Sequence, residues 1–277
     1  MYPNEIFWGM TAYDICLCVA VAACFFVFGA FADRMSIKPE NQTFTVLCGV
    51  FAVALGYGSA VLFQAFYNIK ERGELIIDEK TGATFYGGLI GGALVFLLIY
   101  FIAGRKKFAD GSHIRCFFVT ANCIMPGIAL AHAIGRIGCL FAGCCHGHVT
   151  DAWYGILMHG GAGYKKYVPT QLMEAIFLLI LFGFLTLRLF SAKNNARNLS
   201  SYLVFYGIWR FFIENLRDDY RGDTLVEWLT PSQLTAILLI ALGIGLVFLD
   251  RYVNARLDAM PEPLQKSEPE TCENEEK

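Results

Sequence analysis

The sequence predicts an all-α integral membrane protein with about seven transmembrane helices. Two features of composition favour this fold class: 56% of the residues are hydrophobic and only 17% are charged. The third is a series of apolar runs, most of which approach the roughly 20 residues that a helix needs to cross a bilayer. We predict spans at Tyr13–Ala32, Phe44–Tyr67, Phe85–Ala103, Cys116–Ile134, Leu172–Phe190, Ser201–Ile213 with a polar extension, and Leu234–Leu249.

Basic residues follow alternate spans, which predicts an outside N-terminus and a cytoplasmic C-terminus, because positive loops stay in the cytoplasm. Residues 1–10 contain no lysine or arginine, so we expect no cleavable signal peptide. We assign residues 1–255 to one membrane domain and residues 256–277 to an acidic, disordered cytoplasmic tail. The basic residues that follow alternate spans are Arg34 with Lys38, Arg105 to Lys107, Arg188 with Lys193 and Arg197, and Arg251 with Arg256.

Two arginines interrupt apolar runs: Arg136 after the fourth span and Arg210 within the sixth. A guanidinium does not lose its proton in a protein, and its charge is costly at membrane depth. Such a residue usually faces a cavity, a carboxylate or an anionic ligand. The pair therefore indicates an anion site, and the abundant anion in a bilayer is a phospholipid headgroup.

The sixth span places Tyr206, Arg210 and Glu214 at positions i, i+4 and i+8, on one side of a helix. One interpretation is an Arg210–Glu214 pair that neutralises itself and joins two helices. The other is a polar wall of an active cavity. Both interpretations require the three side chains to face away from lipid.

The fifth span begins with Pro169, and Gln171 and Glu174 follow on one face at i, i+3. An acidic first turn complements the helix dipole, which is one explanation for Glu174. The other is that Glu174 projects inward and positions a basic partner.

Glycines mark the third and fourth spans. Gly87 and Gly88, each with a glycine four residues later, predict close helix packing or a surface open to lipid. Pro126 with Gly127 predicts a bent or unwound fourth helix. The glycines at 135, 138, 143 and 147 predict irregular backbone after the fourth span. Irregular backbone is tolerated at membrane depth only where it is buried in protein or lines a cavity. We therefore expect the site there.

In this order, the segments resemble the bacterial prolipoprotein diacylglyceryl transferases. The resemblance implies a seven-span protein of the bacterial plasma membrane that transfers diacylglyceryl from phosphatidylglycerol to the lipobox cysteine of preprolipoproteins and releases glycerol phosphate. The matching residues are Tyr13, the Gly87–Gly92 run, Pro126–Leu130, Gly135–Gly138, Pro169–Leu172 with Glu174, and Tyr206–Glu214.

For such a reaction, Arg136 and Arg210 would hold the phosphate through bidentate contacts. Tyr206 would orient the headgroup, while Glu174 and Glu214 would fix the arginines. The implied partners are phosphatidylglycerol, preprolipoprotein signal peptides and the bilayer, and we expect no cofactor, metal or nucleic acid. The resemblance also implies substrate contacts at Tyr13, Gly87, Gly88, Gly138 and Gln171.

The chain departs from the family motif Gly-Arg-x-Gly-Asn-Phe-x-Asn-Gly-Glu. Cys139 and Ala142 occupy the asparagine positions, Cys144 occupies the glutamate position, and Tyr86 stands where many members have histidine. Direct catalytic participation, metal binding, thiol–disulfide chemistry and a loop without special chemistry are open for this region. If the region takes part in catalysis directly, His146 or His132 would be the base that accepts the thiol proton, and we assign His146. The residues concerned are Cys139, Cys144, Cys145, His146 and His148.

Two other functional classes follow from that departure. A non-catalytic relative that binds or exports lipid could keep the headgroup clamp. A membrane thiol-redox or metal protein could use the cysteines.

Overall fold

The computed structural model describes residues 6, 9–73, 77, 81–82, 84–108, 112–160, 163–192, 197–217 and 228–258. These residues form seven α-helices, one short 3₁₀ turn and a two-stranded antiparallel sheet. The helices are α1 Ala12–Arg34, α2 Pro39–Arg72, α3 Phe85–Lys107, α4 Ser112–Ala142, α5 Thr170–Ala192, α6 Asn198–Ile213 and α7 Pro231–Asp258.

Each predicted span falls on one of these helices, which confirms the all-α membrane class. Six helices in the described part of the chain are long and apolar enough to cross a bilayer. The exception is α6, which corresponds to the short predicted span and has 16 residues. At 1.5 Å per residue it is about 24 Å long, and the 3₁₀ turn Glu214–Leu216 continues it.

The chain divides into two compact units. The smaller unit contains α2, α3 and the first part of α4, up to Thr120. The larger unit contains α1, the rest of α4 from Ala121, the sheet and α5 to α7. The predicted division into a membrane domain (1–255) and a tail (256–277) stays a prediction, and the tail beyond Asp258 lies outside the described residues.

Glycines pack α3 against α2 in the smaller unit. A Cβ added to Gly87 would lie 2.6 Å from Phe63 Cβ, and one added to Gly88 would lie 3.3 Å from Ala60 Cβ. The Ser59 hydroxyl also donates a hydrogen bond to the Gly87 carbonyl at 3.0 Å. These contacts match the close-packing interpretation of the glycine run.

Helix α4 is continuous, so it does not unwind at Pro126, and the prediction of irregular backbone through the motif was wrong up to Ala142. Proline has no N–H for the carbonyl four residues earlier, that of Asn122. The Asn198 amide supplies that hydrogen bond at 3.2 Å, and Asn122 Oδ1 in turn accepts one from the Leu199 N–H at 3.1 Å. The start of α6 therefore compensates for the proline, and α4 remains helical.

Helix α1 packs closely on one face of α4. A Cβ added to Gly127 would lie 2.9 Å from the Cys24 carbonyl oxygen. Eleven residues later, about three helical turns, a Cβ added to Gly138 would lie 3.0 Å from Cys16 Cβ. Because α1 and α4 run in opposite directions along this contact, the first turn of α1 lies beside the last turns of α4.

Small residues also bring the other helices of the larger unit together. Ala129 and Ala133 of α4 pack in a buried cluster with Leu178 of α5 and Tyr206 of α6. A Cβ added to Gly207 would lie 2.9 Å from the Ala236 carbonyl oxygen, so α6 and α7 approach closely.

The sequence did not predict the β-hairpin between α4 and α5. Strand β1, Ile156–Gly160, pairs with β2, Gly163–Tyr167. The preceding loop is joined to the end of β2, because the Gly147 N–H donates to the Val168 carbonyl at 2.8 Å and the Val168 N–H to the His148 carbonyl at 3.0 Å. These bonds hold the loop after α4 against the start of α5.

We predict that Asn198→Ala destabilises the protein by about 1–3 kcal/mol, since it leaves the buried Asn122 carbonyl without its donor. The cost should fall when Pro126→Ala is also present, because alanine at that position restores the missing N–H. Thermal unfolding in detergent of the two single variants and the double variant measures this coupling. Equal costs in both backgrounds would contradict the compensation of Pro126 by Asn198.

Candidate functional site

Polar groups collect at one end of the larger unit. Helix α1 begins there, α4 ends, α5 begins, α6 ends and α7 begins. This arrangement brings residues from five helices to the same level, although they are far apart in sequence. The side chains concerned are Tyr13, Arg136, Glu174, Tyr206, Arg210, Glu214 and Ser232.

Glu174 is the centre of the first polar network. Its side chain is fully buried, and Oε1 receives Arg136 Nη2 at 3.0 Å and the Tyr206 hydroxyl at 2.9 Å. Of the two explanations for Glu174, the inward position with a basic partner is the one that the geometry supports. A residue from each of α4, α5 and α6 therefore meets at one carboxylate.

His132 lies one turn before Arg136 and borders the same network. Its Nε2 is 4.0 Å from Glu174 Oε1, and its Nδ1 is 2.9 Å from the Tyr202 hydroxyl. The imidazole also packs edge-on against the Tyr206 ring at a centroid distance of 4.8 Å. Tyr202 was absent from the sequence-based site, although it stands one turn before Tyr206 on the same helix.

Arg210 is the centre of the second network. Its Nη2 lies 2.8 Å from Glu214 Oε2 and donates to Ser232 Oγ at 2.9 Å. The Thr230 hydroxyl donates to Glu214 Oε1 at 3.2 Å. The ion pair between Arg210 and Glu214 is present, and the start of α7 completes it through residues that no sequence pattern had singled out.

Each arginine keeps hydrogen-bonding capacity beyond its carboxylate partner. Arg136 Nε and Arg210 Nη1 are buried without a hydrogen-bond partner among the described residues. Buried donors normally have a partner. The unpaired donors are suited to an anion with several oxygen acceptors.

Tyr13 and Gly138 lie together beside the arginine. Thr11 and Asp14 form a reciprocal hydrogen-bonded cap, which fixes the first turn of α1 and therefore Tyr13. A Cβ added to Gly138 would lie 3.2 Å from Tyr13 Cδ2. The Arg136 charge reaches the Tyr13 phenol. The structure thus places Tyr13 against Gly138, two residues after Arg136 on α4, and their contact with substrate stays a prediction.

Gln171 and Thr170 hold the loop that follows α4. Gln171 Nε2 donates to the Cys144 carbonyl at 2.6 Å, and the Thr170 hydroxyl donates to the Cys145 carbonyl at 2.8 Å. Gln171 is fully buried in the first turn of α5. Its contact with the loop indicates a positioning role.

The loop turns two cysteines back toward the end of α4. Gly143 and Cys145 both adopt left-handed backbone, with φ of 72° and 63°. As a result the sulfur atoms of Cys139, Cys144 and Cys145 all lie within 4.8 Å of one another. Hydrogen bonds from the Cys139 and Cys144 thiols, together with the Arg217 guanidinium, hold the pKa of Cys145 well below its usual range.

The two histidines of this loop lie outside the arginine networks. His146 Nδ1 is 3.0 Å from the Gly147 carbonyl oxygen, and the ring packs on Tyr167 at 4.0 Å between centroids. His148 Nδ1 is 3.2 Å from the Leu216 carbonyl oxygen and the residue is exposed. Gly87 and Gly88 belong to the smaller unit, and the side chain of Tyr86 lies outside what the structure describes.

Similarity to known proteins covers most of the chain. The family model for prolipoprotein diacylglyceryl transferase matches residues 5–249. A phosphatidylglycerol–prolipoprotein diacylglyceryl transferase of Clostridium tetani is 30% identical over 77% of this chain and 82% of its own length. A second, from Clostridium perfringens, is 36% identical over 72% of this chain and 73% of its own length. A third, from Finegoldia magna, is 30% identical over 88% of this chain and 91% of its own length.

The match covers α1 to α6 and α7 up to residue 249, and it includes the five helix ends at the polar site. Relatives at 30% identity or more also cover over two thirds of this chain. The chain therefore belongs to the prolipoprotein diacylglyceryl transferase family.

Proposed function

We propose that this chain transfers the diacylglyceryl group of phosphatidylglycerol to the lipobox cysteine thiol of preprolipoproteins and releases glycerol phosphate. Membership of the family and the names of the relatives support this reaction. The structural observation that carries the proposal is the buried Arg136, whose Nη2 is held by Glu174 while its Nε has no hydrogen-bond partner among the described residues.

The reaction displaces a phosphate ester from carbon. The acceptor sulfur bonds to the glyceryl carbon, the carbon–oxygen bond breaks, and the electron pair departs with the glycerol phosphate. Negative charge therefore gathers on the phosphate oxygens as the bond breaks. Preorganised guanidinium donors stabilise such charge strongly where water is excluded.

Arg136 and Arg210 are proposed to hold the phosphate through their unpaired nitrogens. Glu174 and Glu214 fix the orientation of the two guanidinium groups and offset part of the cost of burying them. Tyr206 donates to Glu174, which fixes the carboxylate that orients Arg136.

Other residues are proposed to shape the entry to the phosphate. Tyr13 and Gly138 border Arg136 and would contact the headgroup, and Gln171 would hold the adjoining loop. Gly87 and Gly88 are also proposed to contact lipid, and this proposal rests on the family resemblance alone. Their contacts within the smaller unit are those of closely packed helices.

His146 is proposed to accept the proton of the acceptor thiol. Its Nδ1 faces a carbonyl oxygen, and a carbonyl only accepts hydrogen bonds, so Nδ1 carries the proton. The Nε2 lone pair is then free to accept another. His148 makes the same kind of contact from a more exposed position, which makes it a suitable control.

The chain is a multi-pass membrane protein, and we propose the bacterial plasma membrane as its location. With the N-terminus outside, the five helix ends at the site would lie at the outer half of the bilayer, where the signal peptide of a translocated precursor presents its cysteine. The alternation of basic loops supports this orientation.

A second candidate is a relative that binds the lipid without transferring it. The observation in its favour is the replacement of three motif positions by Cys139, Ala142 and Cys144, which removes polar groups beside the phosphate site. Binding without product formation would distinguish this candidate from an enzyme.

We predict that the gene for this chain sustains lipoprotein maturation in a strain depleted of its own transferase, and that the purified protein forms diacylglyceryl-modified peptide from labelled phosphatidylglycerol.

Arg136→Lys should reduce product formation by about a hundredfold, because a point charge does not reproduce the guanidinium fork. Arg105→Lys, at an exposed position, is the control. Full activity of the Arg136→Lys protein would contradict the clamp; bound lipid without product in the unmodified protein would favour the second candidate.

Glu174→Gln should destabilise the protein by about 3–5 kcal/mol, since it leaves a buried guanidinium without its counter-charge. The matched control is Asp250→Asn, which removes the carboxylate from the partly exposed pair with Arg197 and should cost about 0–1 kcal/mol. Chemical unfolding in detergent measures both. Similar costs for the two variants would show that Glu174 does not balance Arg136.

His146→Gln should lower the rate of transfer at least tenfold, within the range for loss of a general base, and leave lipid binding unchanged. His148→Gln should keep activity near that of the unmodified protein. Single-turnover assays with labelled lipid give the rate. Equal effects of the two substitutions would exclude a specific role for His146.

A further inference from the structure

We propose that Cys139, Cys144 and Cys145 form a three-thiolate site for a thiophilic d¹⁰ ion, Zn²⁺ or Cu⁺, with a coordination position open to the acceptor thiol. This inference rests on the proposed transferase function only for the identity of that fourth ligand. The metal site itself follows from the positions of the three side chains.

The sulfur geometry fits metal binding. The three sulfur atoms lie within 4.8 Å of one another. Tetrahedral ligands at a zinc–sulfur distance of about 2.3 Å are separated by about 3.8 Å. The cluster therefore needs to contract by at most about 1 Å, which rotation of cysteine side chains can provide.

Adjacent cysteines usually point to opposite sides of an extended chain, which argues against their binding the same ion. The left-handed backbone of Cys145 changes the direction of its side chain. Cys144 and Cys145 can then face Cys139 together. Left-handed backbone at a residue other than glycine is unfavourable by about 1–3 kcal/mol and indicates a functional constraint.

The surrounding protein fixes this arrangement. Thr170 and Gln171 hold the carbonyls of Cys145 and Cys144, so the loop is attached to the start of α5. Gly147, just beyond the cluster, lies too close to the Leu216 carbonyl and Val168 for any Cβ. The thiols are thus presented by a backbone that is held on two sides.

The local charge is also suitable. Three thiolates and a divalent ion carry a net charge of −1, and the Arg217 guanidinium interacts with Cys145. With this arginine the site is neutral overall. The electrostatic cost of a charged cluster near the membrane is therefore reduced.

The coordination number indicates what the ion does. Among the described residues the group of metal-binding side chains contains three sulfur donors and no imidazole or carboxylate. Zinc sites with three protein ligands generally keep a position for water or substrate. Cys144 is exposed, so an external ligand can reach the cluster.

A thiol is the ligand that suits the open position. When the acceptor cysteine coordinates, its S–H proton passes to the proposed base, His146, and the thiolate remains on the metal. The sulfur then attacks the glyceryl carbon, and the leaving phosphate departs with the electron pair. Cys139 stands one helical turn after Arg136, whose charge acts on its thiol, so the nucleophile would lie beside the phosphate clamp.

The first test is elemental analysis of the full-length reduced protein in detergent, as purified and after incubation with Zn²⁺ or Cu⁺. We expect about one ion per chain, loss of most of it in Cys144→Ala, and retention in the control Cys18→Ala on α1. Unchanged metal content in the Cys144→Ala protein would overturn the proposal. So would an intact disulfide among the three cysteines, detected by thiol alkylation and mass spectrometry.

The second test uses Co²⁺ in place of the native ion. Thiolate-to-cobalt absorption should appear in the unmodified protein and change when a lipobox peptide is added, whereas the same peptide with serine for cysteine should leave it unchanged. Identical spectra with the two peptides would overturn the open position. Full transfer by metal-free protein would refute the metal role and leave the proposed function intact. Bound metal without any transfer would refute the proposed function and leave the metal site intact.

Discussion

The structure depends on the cost of placing the Arg136 guanidinium among apolar helices. Its side chain is 11% exposed, and the Glu174 carboxylate that it contacts is fully buried. Removing both charges from water is unfavourable unless each is paired and hydrogen-bonded. Glu174 Oε1 meets this condition through Arg136 and Tyr206, while Glu174 Oε2 and Arg136 Nε have no hydrogen-bond partner in the described part of the chain.

The helix packing serves this ion pair. Gly127 and Gly138 let α1 approach α4, and Gly207 lets α6 approach α7. Ala129 and Ala133 allow α5 and α6 to pack on the face of α4 that carries His132 and Arg136. The close contacts bury the polar side chains away from water, which strengthens their electrostatic interactions. The second arginine is supported in the same way by the end of α6 and the start of α7.

Much of the architecture could be predicted from the sequence. Apolar runs of bilayer length determine the helices, and the helical period places Tyr206, Arg210 and Glu214 on one side of α6. The inward position of Glu174 could not be chosen from its helix alone, because an acidic first turn also suits the helix dipole. Its three-dimensional partner, Arg136, decided the question.

The errors have a common physical origin in contacts between distant residues. A bent or unwound α4 was predicted from Pro126, but the donor that prevents unwinding, Asn198, comes 76 residues after the carbonyl that it satisfies. The grouping of three sulfur atoms depends on the backbone conformation of Cys145 and on hydrogen bonds from the start of α5. Spacing in the sequence does not encode either feature. Ser232 and Thr230, which complete the second network, carry no local signal of their function.

The most direct test of the phosphate clamp is an experimental structure of the protein in nanodiscs that contain phosphatidylglycerol. We expect lipid phosphate within hydrogen-bonding distance, about 3 Å, of Arg136 Nε, with Nη2 still on Glu174. Ordered lipid whose phosphate lies elsewhere, with Arg136 Nε satisfied by a protein group or by water, would contradict it.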